Sequence, residues 1–582
     1  MRLQVALNGL CSAVVVLATP APSIPAPGPD PDHVTTESVL QERFATVDVQ
    51  LASGGTITGR SLFDVESFNA IPFADPPVGP LRLKPPRKFS GRLDKLDGTG
   101  VAPACPQMMI SRESLGVIGA VVNDVLQIPL LKTISGQEDC LTVTVQRPAH
   151  TKADAKLPVL FWIYGGGFEF GATNTYDATS LLATAVRQNQ PFVYVAVNYR
   201  VAGFGFMPGK EILADGSANL GLLDQRMALQ WVADNIAAFG GDPSKVTIWG
   251  ESAGAISVFD QMALYDGNAT YKGKPLFRGA IMNSGSVITA DPVDCPKGQA
   301  VYDAVVRAAG CSAAKDTLEC LRAADYITFL DAVNSVPGII SYQTLALSYV
   351  PRPDGKILTQ SPEQLAQTGK YHAVPMIIGD QEDEGTIFAI LTANITTVDK
   401  VVDYLSTYYF HGATRAQLRQ LVELYEPALL EGSPFRTGIL NELYPGFKRL
   451  AALFGDLTFT LARRVTLTYA AAANPHVPTW SYLSSYNHGT PFVGTFHASD
   501  ILQVFHGILP NHAMRSCRTY YLNFLHNQDP NAGVGGYATW PTWKAAKKLM
   551  WFRWAFGNDI LPDDFRSPVS DFIAASKNSL YF

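Results

Sequence analysis

The sequence has little charge and no run of basic residues. Only 16% of its 582 residues are charged, and 45 bases against 51 acids give a net charge of −6 at pH 7. A surface that binds nucleic acid needs clustered lysine and arginine to attract phosphates. We therefore expect no nucleic-acid partner. With 47% hydrophobic residues, the chain has the composition of a globular protein with a large core.

Long hydrophobic runs are also absent. A membrane-spanning helix needs about 20 consecutive apolar residues. No segment of this chain reaches that length, so we expect no integral membrane segment. The N-terminus has the pattern of a signal peptide, with Met1-Arg2 before an apolar stretch that ends at the small residue Ala18. We predict a signal peptide over 1–18, a proline-rich leader over 19–44 and a secreted, extracellular protein.

Linkers, repeats and metal-binding motifs are missing from the remainder of the chain. Residues 45–582 contain no Gly/Ser-rich linker and no internal repeat, which predicts one large domain. No CxxC or HExxH spacing occurs, so we expect neither a metal site nor a cofactor.

Cysteines and glycosylation acceptors fit the predicted export. Seven cysteines are present, and Cys11 leaves with the predicted signal peptide. The remaining even number favours disulfides in a secreted chain, although spacing alone does not select the pairs. Asn268-Ala-Thr and Asn394-Ile-Thr are acceptors for N-glycosylation, which predicts that both asparagines are exposed. Sequences this short also occur by chance.

Strand-like and helix-like segments alternate along the chain. Short apolar runs typical of buried strands occur at 157–163, 192–199, 246–249, 279–283, 374–379 and 479–485. Helical patterns lie between them, for example at 220–238 and 255–263. This alternation predicts an α/β protein with a mainly parallel central sheet flanked by helices. Functional groups in such a protein gather at the carboxyl ends of the strands.

The segment Gly250-Glu-Ser252-Ala-Gly254 lies between the strand-like run 246–249 and a helical pattern. A serine at such a strand–turn–helix elbow is presented as a nucleophile, and the flanking glycines leave room for neighbouring elements and substrate. The alternative is a glycine-rich turn with a solvated serine. The context of strand and helix favours the nucleophile.

A serine nucleophile also needs donors for the oxyanion that develops during acyl transfer. The three glycines Gly165, Gly166 and Gly167 follow the strand-like run 157–163, and their backbone N–H groups are candidates together with that of Ala253. A nucleotide-binding loop is the competing interpretation. The spacing GxGxxxG and the missing Walker lysine disfavour it.

The acid and the base of a triad are less well determined by the residues alone. Chain order in α/β-hydrolases is serine, acid, histidine. Four acids crowd the loop after the strand-like run 374–379, namely Asp380, Glu382, Asp383 and Glu384. His497 stands out because it follows the strand-like run 479–485, but six other histidines also lie after the acids, namely His411, His476, His488, His506, His512 and His526.

Motifs along nearly the whole chain resemble one family. The chain resembles a type B carboxylesterase/lipase of the α/β-hydrolase fold and is most similar to the extracellular lipases of yeasts and filamentous fungi. The matching segments are FADPPVGPLRLKPP (73–86), EDCLTVTVQRP (138–148), PVLFWIYGGGFEFG (158–171), NYRVAGFGF (198–206), GLLDQRMALQWVADNIAAFGGDPSKVTIWGESAGAISV (221–258), SYVPRPDG (348–355), GDQEDEGT (379–386) and GTFHASDI (494–501).

The resemblance implies specific roles for residues of this chain. It implies Ser252 as nucleophile, Glu384 as the acid, His497 as the base, and Gly166, Gly167 and Ala253 as oxyanion donors. Many animal and bacterial relatives have histidine before the three glycines, whereas this chain has Tyr164, as fungal lipases do.

The resemblance also implies pairings of cysteines. It links Cys105 to Cys140 and Cys311 to Cys320. Cys295 and Cys517 have no counterpart, so a third bridge and two free thiols both remain open.

The loop between Cys105 and Cys140 corresponds to the lid of the similar lipases. Its apolar residues recur at helical spacing, namely Leu115, Ile118, Val121, Val122, Val125 and Leu126. We expect this lid loop to contact a lipid interface. An ordinary packed amphipathic helix is the alternative.

Together these features predict a secreted serine hydrolase that cleaves carboxylic esters, lipase-like on medium or long acyl chains. A biosynthetic acyltransferase or transesterase using the same acyl-enzyme is an alternative. A non-catalytic adhesion protein on the same fold is a second alternative, and the intact set of serine, acid and histidine argues against it.

Overall fold

A computed structural model of the protein describes residues 45–52, 54–108, 136–425, 428–554, 556–576 and 579–581. The predicted signal peptide, the leader 19–44 and the apolar residues of the lid loop lie outside the described residues. Thr46–Phe582 form one compact unit.

The centre of the fold is one large mixed sheet. Its strands and those of a small separate hairpin are β1 (Ala45–Gln50), β2 (Thr56–Leu62), β3 (Val65–Pro72), β4 (Lys95–Asp97), β5 (Thr142–Pro148), β6 (Leu157–Ile163), β7 (Val193–Val197), β8 (Gly241–Glu251), β9 (Thr270–Tyr271), β10 (Lys274–Pro275), β11 (Gly279–Asn283), β12 (Met376–Gln381), β13 (Thr479–Ser484), β14 (Lys548–Trp554) and β15 (Gly557–Pro562).

Strand order in the sheet is β1-β2-β3-β5-β7-β6-β8-β11-β12-β13-β14-β15, with β4 beside β2. The run from β7 to β14 is parallel throughout. Antiparallel pairs flank it on both sides. The carboxyl ends of β8, β12 and β13 therefore share one edge of the sheet, where the chemistry of an α/β sheet is expected.

Helices cover the sheet. They are α1 (Thr179–Arg187), α2 (Ala202–Phe206), α3 (Lys210–Asp215), α4 (Leu220–Asn235), α5 (Ala253–Gly267), α6 (Pro296–Ala308), α7 (Thr317–Ala323), α8 (Tyr326–Val333), α9 (Pro362–Thr368), α10 (Thr386–Ala389), α11 (Val398–Tyr404), α12 (Arg415–Glu423), α13 (Ala428–Glu431), α14 (Phe447–Gly455), α15 (Leu461–Ala473), α16 (His512–Asn527), α17 (Trp543–Ala546) and α18 (Ser567–Ala575).

The central strands are apolar because helices cover both of their faces. All five residues of β7, Val-Tyr-Val-Ala-Val, are buried, as are six of the seven residues of β6. Continuous apolar runs of this kind are typical of parallel strands inside an α/β protein. The predicted α/β architecture with a mainly parallel sheet is confirmed.

The described part of the chain contains two disulfides, Cys105–Cys140 and Cys311–Cys320. Cys295 and Cys517 are free and buried, which answers the question that the sequence left open. Asn268 and Asn394 are both exposed. Among the described residues, none of the helices combines the length and the hydrophobicity needed to cross a membrane.

Candidate active site

Ser252 lies at a sharp turn between β8 and α5. Its φ of 57° and ψ of −127° are rarely adopted by a residue with a side chain. Its N–H donates to the carbonyl of Asn283 on β11, at 2.9 Å, so the turn is tied to the neighbouring strand. Gly254 is required here, because a Cβ would lie 2.1 Å from the carbonyl oxygen of Ile163. The predicted strand–turn–helix elbow is present.

The structure brings His497 and Glu384 to this serine from two distant loops. His497 Nε2 lies 2.8 Å from Ser252 Oγ, and His497 Nδ1 lies 2.5 Å from Glu384 Oε2. The second oxygen of Glu384 accepts from the N–H of Gln381 at 2.7 Å. All three side chains are buried, with at most 8% of each residue exposed. Serine, histidine and glutamate thus form one hydrogen-bonded chain.

The other three acids of the 380–384 cluster have different partners. Asp380 binds the buried guanidinium of Arg463, with 2.9 Å between Oδ2 and Nε. Glu382 forms a two-point ion pair with Arg436. Of the four acids in this cluster, Glu384 is therefore the one that bonds to the histidine.

Asp383 anchors the loop that carries His497. Its Oδ2 accepts from the N–H of Thr495 at 2.9 Å, and its own N–H donates to the carbonyl of Thr495 at 2.9 Å. Its Oδ1 accepts from Ser433 Oγ and from the N–H of Phe435. Sequence reasoning included Asp383 only as a possible triad acid and missed this anchoring contact.

A second carboxylate lies beside the histidine. Glu251 Oε1 is 3.3 Å from His497 Nε2, and the Glu251 side chain is 4% exposed. Burial raises the pKa of Glu251 to about 8. Burial also disfavours the charged form of His497, but the Glu384 and Glu251 carboxylates outweigh it and raise the pKa of the imidazole. The charge state of the histidine therefore depends on both acids.

The glycine loop after β6 packs directly against the serine turn. A Cβ at Gly165 would lie 2.5 Å from the carbonyl oxygen of Glu251 and 2.8 Å from the Cβ of Ser252. Gly166 and Gly167 have φ of 102° and 64°, in the region that favours glycine. Ala253 is the first residue of α5, where backbone N–H groups have no partner within the helix. These N–H groups thus belong to segments that border Ser252.

Two aromatic rings border the histidine. The ring centres of Phe459 and Phe388 lie 4.5 Å and 5.2 Å from that of His497. Both phenylalanines are buried. Phe388 is on α10 and Phe459 lies between α14 and α15, and sequence reasoning identified neither of them. Only the packing of these helices against the 494–497 loop brings them to the site.

The profile of the Carboxylesterase family matches residues 45–556. The chain belongs to the carboxylesterase family. It is 61% identical to a secreted triacylglycerol lipase of Gibberella zeae, over 93% of this chain and 92% of that protein. It is 42% identical to Lipase 4 of Diutina rugosa, over 94% of this chain and 98% of the relative.

Solved structures agree with this membership. Aspergillus niger EstA matches with a TM-score of 0.76 at 25% identity, over 92% of this chain and 99% of that chain. A PNB esterase matches with a TM-score of 0.71, also at 25% identity, over 90% of this chain and 99% of that chain. The resemblance to type B carboxylesterases and the predicted α/β-hydrolase fold are confirmed. This carboxylesterase family member is a carboxylic ester hydrolase, as the sequence predicted.

Proposed function

We propose that the protein is a secreted lipase that cleaves esters of medium or long acyl chains, triacylglycerols included, with Ser252 as its nucleophile. The hydrogen-bonded chain from Ser252 through His497 to Glu384 carries the proposal. The 61% identical relative from Gibberella zeae is a secreted triacylglycerol lipase, which supports the substrate class and the extracellular location.

The reaction begins when Ser252 Oγ attacks the ester carbonyl carbon and His497 Nε2 takes the hydroxyl proton. The carbonyl electron pair moves onto oxygen, and the N–H groups of Gly166, Gly167 and Ala253 stabilise this oxyanion. Collapse breaks the ester bond, and the alcohol leaves with the proton from His497. Water attacks the acyl-enzyme by the same route and releases the acid. These steps need no cofactor.

Glu384 acts through the histidine. By accepting from Nδ1 at 2.5 Å, it keeps Nε2 free to take the serine proton and stabilises the imidazolium that forms. Because Glu384 is only 1% exposed, little water competes for this interaction.

Apolar surroundings support an acyl-chain substrate. Gly285 lies against the serine turn, since a Cβ there would be 2.6 Å from the carbonyl oxygen of Ser252. Val287 and Ile288 follow shortly after and line a small cavity of about 50 Å³ together with Leu457. Leu457 is two residues before Phe459, which contacts His497. This apolar cavity is therefore bordered by two segments that also reach the site.

The lid loop is proposed to supply contact with a lipid surface. The Cys105–Cys140 disulfide closes this loop, and the described residue Met108 donates its N–H to the carbonyl of Glu169, two residues after Gly167. The loop thus starts beside the proposed oxyanion donors. Its apolar residues would cover the acyl site when the loop is closed and face lipid when it is open.

Export through the secretory route is part of the proposal. Residues 1–18 act as the signal peptide, and Asn268 and Asn394 carry N-linked glycans. The exposure of both asparagines and the two disulfides support this route.

Covalent labelling tests the nucleophile. Ser252→Ala should abolish labelling by an organophosphonate and lower kcat by roughly 10⁶, because the acyl-enzyme cannot form. Glu384→Gln should lower kcat strongly, whereas Glu382→Gln should leave it nearly unchanged, since Glu382 is bound to Arg436. Near-normal turnover by Ser252→Ala would overturn the proposal. If Glu382→Gln lowered kcat more than Glu384→Gln, the role of the acid would belong to Glu382 instead.

A comparison of two substrates tests the lipase assignment. Replacing Val121, Val122 and Val125 by serine removes apolar surface from the lid loop, each side chain being worth ~1.5–3 kcal/mol on burial. Activity on emulsified long-chain triglyceride should fall much more than activity on a soluble short-chain p-nitrophenyl ester. Equal losses, or a wild type that does not act on long-chain esters, would make the protein a plain carboxylesterase.

A further inference from the structure

A tight turn ends α5 at one of the glycosylation acceptors. The N–H of Asn268 donates to the carbonyl of Tyr265 at 3.2 Å. The two central residues, Asp266 and Gly267, have φ of 55° and 89°, as in a type I′ turn. The first and fourth Cα atoms of such a turn lie within about 7 Å of each other. Tyr265 and Asn268 are therefore neighbours on the surface.

Both residues line the same surface groove. The groove has a volume of about 590 Å³, within the range of roughly 300–1,000 Å³ typical of small-molecule sites. Its walls are apolar at Pro85, Pro86 and Met227, with the amide of Gln230 among them. Tyr265 is 42% exposed, unlike most large aromatic residues of the chain. The groove thus combines apolar faces, one exposed ring and a polar amide.

Arg226, on α4, contacts the turn at both Asn268 and Tyr265. Its Nη2 donates to the carbonyl of Asn268 at 2.6 Å, and its guanidinium carbon lies 5.8 Å from the centre of the Tyr265 ring. Arg226 is only 7% exposed. The starting point of any group attached to Asn268 is therefore held in place relative to the groove.

The side chain of Asn268 is oriented by its own acceptor sequence. Its Oδ1 accepts from the N–H of Thr270 at 3.0 Å. The other amide atom, Nδ2, is the one that carries an N-linked sugar. Since Asn268 is exposed and lines the groove, a sugar attached there begins at the groove's edge.

We propose that the first sugars of an N-linked glycan on Asn268 lie in this groove, with one pyranose face against the ring of Tyr265. The C–H groups of a pyranose face carry partial positive charge, which suits the negative face of an aromatic ring. The N-acetyl methyl group suits the proline wall, and the sugar's polar groups suit the amide of Gln230. The glycan then links the turn after α5 to α4 and to residues 85–86.

This inference rests on the proposed export through the secretory route, where glycosyl transfer occurs. Nδ2 of Asn268 loses a proton and bonds to the anomeric carbon of an oligosaccharide that is linked to a lipid through a diphosphate. The lipid diphosphate leaves with the bonding electron pair. Ester hydrolysis takes no part in this step.

Protection of the glycan from an endoglycosidase tests the inference. The full-length protein, secreted from a glycosylating host, is digested while folded and after unfolding, and release at Asn268 is followed by mass spectrometry. In the folded protein, release should be about tenfold slower, as a docking free energy near 1.4 kcal/mol would give. Tyr265→Ala should remove the protection, and Tyr265→Phe, which keeps the ring face, should retain it.

Sequon variants supply a second measurement. Thr270→Ala removes the acceptor and should lower the melting temperature, whereas Thr270→Ser keeps the acceptor and should not. The inference is overturned if Asn268 carries no glycan, if folding gives no protection, or if Tyr265→Ala is protected as well as the wild type. Because glycan release does not depend on ester hydrolysis, these results are independent of the assigned substrate.

Discussion

Glu251, the residue directly before the proposed nucleophile, places a second carboxylate beside the histidine. Its Oε1 is 3.3 Å from His497 Nε2 and has no hydrogen-bond partner among the described residues. A carboxylate this close favours the protonated imidazole. His497 is the proposed base and must be neutral to take a proton, so Glu251 should influence the pH at which activity is lost on the acid side.

Glu251→Gln should therefore move the acid limb of the kcat/KM profile to lower pH. Removing the carboxylate lowers the pKa of His497, so the imidazole stays neutral in more acidic solution. The profile is measured on a soluble ester, with Glu382→Gln as the control because Arg436 already binds Glu382. An acid limb that stays in place or moves to higher pH would contradict this role of Glu251.

At the scale of elements, the site depends on how the loop after β13 is held against the loop after β12. Asp383 makes this connection through its Oδ2 and its own N–H, which both bond to Thr495, while its Oδ1 accepts from Ser433 and Phe435. Gly494 permits the close approach, since a Cβ there would lie 2.1 Å from Asp383 Oδ2. The position of His497 relative to Ser252 is therefore set by a residue that touches neither of them.

Asp383→Ala should lower kcat with little change in KM. A displacement of the histidine by about 1 Å can cost on the order of 100-fold in rate. Ser433→Ala, which removes only one of the bonds to Asp383, should retain most of the activity. Both variants are assayed well below their melting temperatures. A folded Asp383→Ala variant with normal kcat would show that the loop holds its position without this anchor.

At the scale of the whole molecule, several carboxyl groups are buried without enough compensation to stay charged at neutral pH. Burial raises the pKa of Glu169 from 4.5 to about 8, and it also raises the pKa of Asp260 well above its ordinary value. There is thus a range of pH in which such a group holds its proton in the folded state but has lost it in the unfolded chain. Its contribution to stability is complete below its unfolded pKa and is lost as pH rises toward its folded pKa.

The melting temperature should therefore fall as pH is raised from 7.5 to 8.5. In this window, the histidines with lowered pKa are almost entirely neutral in both states. Asp215 and Asp563, whose pKa values are lowered, are charged in both states. Glu169→Gln should make the fall less steep, because an amide does not titrate in this range. The amide can still accept the hydrogen bond from the N–H of Ile339, which lies 2.6 Å from Glu169 Oε2. Calorimetry that finds the same slope in both proteins would exclude Glu169 as a cause.

The sequence by itself determined the central strands β6, β7, β8, β11, β12 and β13 and the elbow, but not the outer strands β1–β5, β14 and β15. Each depends on neighbouring residues, as in the apolar run of β6 or the Gly250–Gly254 segment between a strand and a helix. Resemblance to a family then supplied Glu384 and His497, which the residues alone left among several alternatives.

Only the tertiary structure decided which side chains meet. Glu251, Asp383 and Phe459 contact the site or its loops because parallel strands end at one edge of the sheet and helices pack against that edge. The groove beside Asn268 also combines residues from distant parts of the chain, including Pro85. Local patterns record burial and turn geometry, whereas contacts between residues far apart in sequence depend on the packing of the whole fold.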